Sequence, residues 1–297
     1  MKSTRLFILT LIAMIAFAGN SLLCRSALKQ TGIDPASFTF IRIVSGAAAL
    51  WFIAKMRKAT WRKAGNWPSA LALFAYAAAF SFAYVSLSAG TGALLLFGAV
   101  QATMILRGLR RGERLRARQL AGLALALTGL VALLFPGLSA PSLSGSILML
   151  GAGVAWGVYS LRGKAASDAI AATTGNFLRS VPLAAVLSIA LLPWAHIDRA
   201  GVGYAVLSGA IASGLGYAIW YTALSDSMPV QLGPASAATV QLSVPVLAAT
   251  GGILLLGEPI TFRYLVTSIA VLGGIALVVI EKNHAGKAND TISSAAR

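Results

Sequence analysis

Gly112-Glu113 followed by Leu127-Thr128-Gly129-Leu130 recurs as Gly257-Glu258 followed by Leu272-Gly273-Gly274-Ile275. Glu113 and Gly129 are 16 residues apart, and so are Glu258 and Gly274. The matched stretches close two halves of similar length. Windows of about 20 apolar residues mark membrane-spanning helices. Ten such windows are read here, at 6–24, 36–54, 67–88, 91–109, 118–136, 143–163, 172–193, 200–222, 231–256 and 262–281. Each half therefore holds five spans. An odd number of spans per repeat forces the second copy to sit upside down relative to the first.

More of the repeat lies outside its closing motif. Ala16-Phe17 and Ser21-Leu22 recur as Ala155-Trp156 and Ser160-Leu161. Phe40-Ile41-Arg42 recurs as Phe177-Leu178-Arg179, and Tyr84, Leu87 and Ser88 as Tyr221, Leu224 and Ser225. Matches that keep their order along two halves are hard to produce by composition alone. The expected fold is an all-α membrane protein of ten transmembrane helices in two inverted five-helix repeats. The first repeat is expected over residues 1–137 and the second over 141–281, with 282–297 as a disordered cytoplasmic tail.

Composition agrees with a lipid setting. Hydrophobic residues make up 58% of the chain and charged residues 11%, against about 25% charged in a soluble domain. The net charge of +16 does not imply a nucleic-acid partner, because no basic cluster is interleaved with a groove-reading or aromatic motif. The charge instead follows alternate loops. Of the 24 Lys and Arg, 18 fall on the side of the two termini and four on the other. Positive charge accumulates on the cytoplasmic side, so both termini are expected inside, in the plasma (inner) membrane. Lys2 and Arg5 ahead of an apolar run resemble a leader peptide. The counterpart of that run in the sixth segment makes it a structural helix instead. One cysteine, Cys24, and two histidines give no metal-site spacing, and no cofactor is expected.

With those residues in place, the chain resembles the drug/metabolite transporter superfamily, specifically its EamA-type ten-helix members. The resemblance covers about residues 6–281. It rests on the Phe17, Asn20 and Ser21 face of the first helix, Arg42, Gly112-Glu113 and Gly129, repeated as Trp156, Arg179, Gly257-Glu258 and Gly274. Members often carry a proline in the fourth and ninth helices. Pro245 fits the ninth, while Val100 beside Gln101 stands at the place in the fourth. The resemblance implies a central cavity, alternating access, and export of a small metabolite or amino acid. A lipid translocator of the same fold is an alternative, and a membrane enzyme a remote one, since no cluster of His, Asp, Glu or Cys has a catalytic arrangement. The expected partners are a small-molecule substrate and the bilayer.

Polar groups are costly in lipid and usually face the bundle interior. Asn20, Trp156, Tyr159, Trp220, Tyr221, Gln241 and Gln101 are therefore expected to line a substrate site. The competing reading is that the aromatic residues are interface anchors or packing residues. Arg42 and Arg179 lie inside spans, each about seven residues in, roughly 10 Å along the helix. They either capture a substrate carboxylate or reach back to the interface and to backbone carbonyls. Glu113 and Glu258 stand at helix exits. They either tether turns to neighbouring helix ends or take part in gating.

Overall fold

The computed structural model describes residues 2–112, 115–137, 139–163, 168–224 and 240–295. Among them every regular element is helical. The first half comprises α1 (Lys2–Gln30), α2 (Pro35–Met56), α3 (Trp67–Tyr84), α4 (Ala89–Arg110) and α5 (Ala117–Leu134). The second comprises α6 (Leu143–Gly163), α7 (Ala169–Ala190), α8 (Arg199–Val206), a π-helical segment (Leu207–Leu215), α9 (Gly216–Leu224), α10 (Ser243–Leu256) and α11 (Phe262–Ala295). The α8–π–α9 rod is one continuous span. Nine helices among the described residues are long and apolar enough to cross a membrane, and α10 is a shorter apolar helix. Much of the ninth expected span, 231–239, lies outside the described residues. The backbone of α11 continues as helix to Ala295, into the stretch read from sequence as a tail. Lys282, Ala285, Lys287 and Ala288 there are residues that favour helix.

Caps set where the spans begin. Asp34 accepts from the backbone N–H groups of Ala36 and Ser37 at 2.9 Å, with Pro35 opening α2. Asn66, Asp168 and Asp198 cap α3, α7 and the rod in the same way. Gly112 and Gly257, the glycines of the repeated motif, both take positive φ, +87° and +61°. Each ends its helix in the left-handed region that glycine enters without a side-chain clash.

The packing is unchanged when the halves are exchanged. Helix α1 packs on the rod and on α10, as α6 packs on α3 and on α4. Helix α2 packs on the rod as α7 does on α3. The remaining large contacts join each helix to its own counterpart: α2 to α7, α4 to α10, and α5 to α11. Those counterparts run antiparallel. Gly46 meets Phe177 while Leu50 accepts from Thr174. Gln119 at the start of α5 donates to the carbonyl of Val278 late in α11, while Arg263 at the start of α11 donates to Phe135 just past α5. Gly129 lies against Val271, and Gly274 against Ala126. Exchanging the halves converts the first of those contacts into the second.

Helix α4 is the most enclosed element, with every side chain from Ala89 to Gln101 buried. A helix that is apolar all round belongs in the interior of a membrane bundle. The α5–α11 pair is peripheral and exposes Leu120, Leu125, Leu127, Val131, Leu265, Val266 and Ile269 to the lipid side.

Candidate functional site

A polar network crosses the boundary between the halves at mid-helix depth. Asn20 of α1, Arg42 of α2, Tyr76 of α3 and Ser208 and Ser213 of the π-segment are all buried. Ser208 donates to Asn20 Oδ1 at 2.6 Å. Asn20 Nδ2 donates to the Tyr76 hydroxyl oxygen at 3.2 Å, and Arg42 Nη2 donates to the same oxygen at 3.0 Å. Arg42 Nε reaches Ser213 Oγ at 3.4 Å. The buried Nη1 of Arg42 has no hydrogen-bond partner among the described residues. The guanidinium also lies over the rings of Phe80 and Tyr76, 4.9 and 5.2 Å from their centroids.

The π-segment explains how the rod comes so close. An i→i+5 helix is wide, rare, and frequent at functional sites. Here it turns Ser208 toward Asn20 of α1 and Ser213 toward Arg42 of α2. Gly209 permits the approach: a Cβ there would lie 2.1 Å from the carbonyl oxygen of Arg42 and 2.0 Å from Ser45 Oγ.

Aromatic rings enclose the network. Trp156 sits at their centre, 4.9 Å from Tyr76, 5.0 Å from Tyr217, 5.5 Å from Tyr159 and 6.4 Å from Phe17. Phe17 in turn is 5.8 Å from both Tyr217 and Trp220. Phe17 and Trp156 are equivalent positions of the repeat, so their contact marks where the halves meet. Such tilted and edge-to-face pairs each add about 0.5–1.5 kcal/mol beyond their burial. Tyr159 donates to Thr173 at 3.4 Å, and Tyr221 packs at the edge of the cluster, its hydroxyl facing Gly163.

The structure thus brings together Asn20, Arg42, Trp156, Tyr159, Trp220 and Tyr221. Gln101 and Gln241 are buried on the adjoining helices α4 and α10. Arg179 stands apart. It is half-buried, and its Nη1 donates to the carbonyls of Ala64 and Gly175 at 2.8 and 2.9 Å. Sequence reasoning passed over Tyr76, Phe80, Ser208 and Ser213. Tyr76 carried a usable signal, a hydroxyl at the middle of a span, far from either interface.

Two polar clasps flank this cluster. At one end Glu258 is 7% exposed. Its Oε1 accepts from Arg25 Nε at 3.0 Å, and its Oε2 from the backbone N–H of Ala89 at the start of α4, at 2.8 Å. Arg25 Nη1 also donates to the carbonyls of Tyr84 and Val85. This clasp joins α1, α3, α4 and the end of α10. Glu113, the counterpart of Glu258, lies outside the described residues. At the other end Arg162 donates to Ser69 at 2.9 Å and Asn66 at 3.1 Å, and Asn176 accepts from the N–H of Asn66 at 2.9 Å.

A family model for EamA-like transporters matches residues 4–135 and again residues 143–280. The chain belongs to the EamA-like transporter family. The two matches fall on the two halves whose packing is exchangeable. Among family relatives, an uncharacterised Pseudomonas aeruginosa protein is 55% identical over 280 residues, covering 94% of this chain and 96% of that one. An uncharacterised transporter of Archaeoglobus fulgidus is 23% identical over 299 residues, 95% of this chain and 99% of its own. A Salmonella typhimurium protein named as a probable amino-acid metabolite efflux pump is 26% identical over 217 residues, 64% of this chain and 67% of its own. A solved crystal structure at 17% identity has the same fold, with a TM-score of 0.65 over 96% of this chain and 99% of that one. Family membership makes this a multi-pass membrane protein of transport function, acting on a small molecule.

Proposed function

We propose that this EamA-family protein is a secondary transporter that exports a small metabolite or amino acid by alternating access. Its ten helices form two inverted five-helix repeats in the plasma (inner) membrane, with both termini in the cytoplasm. The observation that carries the reading is the buried polar and aromatic cluster on the boundary between the halves. It is aromatic with a few convergent amides, hydroxyls and one guanidinium, the make-up of a small-molecule site. Each half contributes one face, so a relative movement of the halves opens the cluster to one side or the other. Antiparallel packing of α2 on α7 and of α5 on α11 supports the inverted arrangement. The name of the Salmonella relative supports export of a metabolite. Asn20, Trp156, Tyr159, Trp220, Tyr221, Gln241, Gln101 and Arg42 are the proposed substrate contacts. Arg179, given its backbone bonds, and Glu258 serve structural clasps, and Glu113 is proposed for a gating or structural role in the other half.

Uptake of radiolabelled organic acids, amino acids and amines into proteoliposomes, with and without a proton gradient, tests the reading. Solute-specific, saturable flux is expected. Absence of flux for every class removes the reading. Single cysteines beside Glu113 and beside Glu258 in a Cys24→Ser background test the topology. An impermeant maleimide on intact cells should label the site beside Glu258 and spare the one beside Glu113. Equal labelling would overturn the inversion.

A further inference from the structure

Arg42 carries a full positive charge with no negative one beside it among the described residues. Its side chain is 2% exposed. Every acidic side chain whose placement is described (Asp34, Asp168, Asp198 and Glu258) sits at a helix end. The one ion pair among the described residues joins Arg25 to Glu258 and leaves Arg42 aside. A buried charge without a counter-charge is strongly disfavoured, and proteins normally pair it.

The bonds around Arg42 do not replace that partner. They are made to neutral hydroxyls, through Nε and Nη2, and Nη1 is left with both its protons undirected. The Tyr76 hydroxyl oxygen already accepts from Asn20 and from Arg42. Its lone pairs are used, and its own O–H is a donor that shares its surroundings with the Tyr217 hydroxyl. Asn20 Oδ1 accepts from Ser208. The network therefore offers several donors and one net positive charge. Beside it stand the apolar faces of Phe17, Phe80 and Trp156.

We propose that Arg42 Nη1 and the Tyr76 hydroxyl seat the carboxylate of a small organic monoanion with an apolar or aromatic body. One uncompensated charge fits one carboxylate. An ammonium on the same solute would meet ring faces and the repulsion of the guanidinium, so the acid is preferred over the corresponding amino acid. The proposal rests on the transporter reading above, because the rings from the two halves, Phe17 and Trp156, must part for a solute to enter. Movement of one half against the other supplies that parting.

The test uses the full-length protein in detergent and in proteoliposomes. Binding is measured calorimetrically for acetate, butyrate, 3-phenylpropionate, 3-phenylpropionamide, phenylalanine and chloride. 3-Phenylpropionate is expected to bind at least about tenfold more tightly than its amide or than phenylalanine, the usual scale for a hydrogen bond to a charged group. Tyr76→Phe should weaken the acid several-fold and the amide less, because a neutral carbonyl gains less from the same donor than a carboxylate does. Arg42→Gln should abolish the preference for the acid. If that variant does not fold, the acid–amide comparison in the wild type and in Tyr76→Phe decides the matter. Equal binding of acid and amide overturns the proposal, as do tighter binding of phenylalanine and the failure of all three carboxylates to bind. Chloride held through Arg42 and not displaced by an acid overturns the organic assignment. Flux of a neutral or zwitterionic solute alongside any of these results leaves the transporter reading standing while this proposal fails.

Discussion

Arg42 and Arg179 are each the third residue of a Phe-aliphatic-Arg run, at matching places in the two halves, and they end in different surroundings. Arg42 is buried, bonds only side-chain oxygens and lies over two rings. Arg179 is committed to two backbone carbonyls. The difference traces to a residue one turn earlier in each helix. Gly175 in α7 stands where Phe38 stands in α2. A Cβ on Gly175 would lie 2.1 Å from the carbonyl oxygen of Ala64, so glycine alone lets the connector before α3 press onto α7. That contact places the Ala64 carbonyl within reach of Arg179. In the other half the matching carbonyl is His196, also two residues before a helix cap. It is taken by the backbone N–H of Asp34 at 2.9 Å. Duplication thus preserved the helix layout, and one small residue decided which arginine was consumed by backbone and which was left for the cluster.

The sharpest way to break the contrast is to neutralise each arginine. Arg42→Gln should lower flux of a carboxylate solute roughly 10- to 100-fold. Arg179→Gln should keep the preference for acid over amide and lower thermal stability by about 1 kcal/mol. If both variants lose the preference alike, the two arginines do the same work and the contrast fails. Next in size is Gly175→Ala. Forcing the connector away should cost about 1–3 kcal/mol in detergent-solubilised protein, the range for overpacked sites. An unchanged melting temperature would show that the close approach is unimportant.

A smaller effect is expected at the clasps. Glu258→Gln should destabilise the protein by about 1 kcal/mol, because the amide still accepts one bond while Arg25 loses its charge partner. Arg162→Gln, whose partners Ser69 and Asn66 are neutral, should cost less, and melting curves of the two variants side by side give the order. The smallest effect concerns Asp34. Burial opposes its ionisation, but bonds from Ser37, Ala36 and His196 outweigh that and hold its carboxyl below the ordinary value. A lowered folded-state value adds stability above the unfolded value of about 3.9 and loses it as pH falls. The stability gap between wild type and Asp34→Asn should therefore be full at neutral pH and narrow progressively as pH falls below about 4. A gap that does not narrow at all on further acidification would mean the hydrogen bonds matter and the charge does not.

Much of this was legible beforehand for definite reasons. Long apolar windows announce helices in lipid because no other local structure satisfies its own backbone there. The Gly-Glu pairs announced helix ends, since glycine is the residue that enters the left-handed turn seen at both Gly112 and Gly257. Asn20 and Trp156 stood out because amides and mid-span indoles are costly unless they face inward. Arg42 and Arg179 could not be separated by sequence, because both satisfied the same spacing and the same burial argument. Ser208 and Ser213 could not be picked out, because nothing in their run announces a π-helix.

By itself the sequence determined an all-helical, membrane-spanning chain of the EamA-like family with an internal repeat. Those properties follow from hydrophobicity and from local backbone chemistry, both of which are written residue by residue. The tertiary structure alone decided which polar groups meet. The Tyr76 hydroxyl is shared by Asn20, 56 positions away, and Arg42, 34 positions away. Ser213 reaches Arg42 across 171 positions. Such contacts depend on how closely two helices approach, which Gly209 and the widened π-turn set for one side of the cluster and Gly175 for the clasp around Arg179. Those distances are properties of packed pairs of helices, and no single segment contains them.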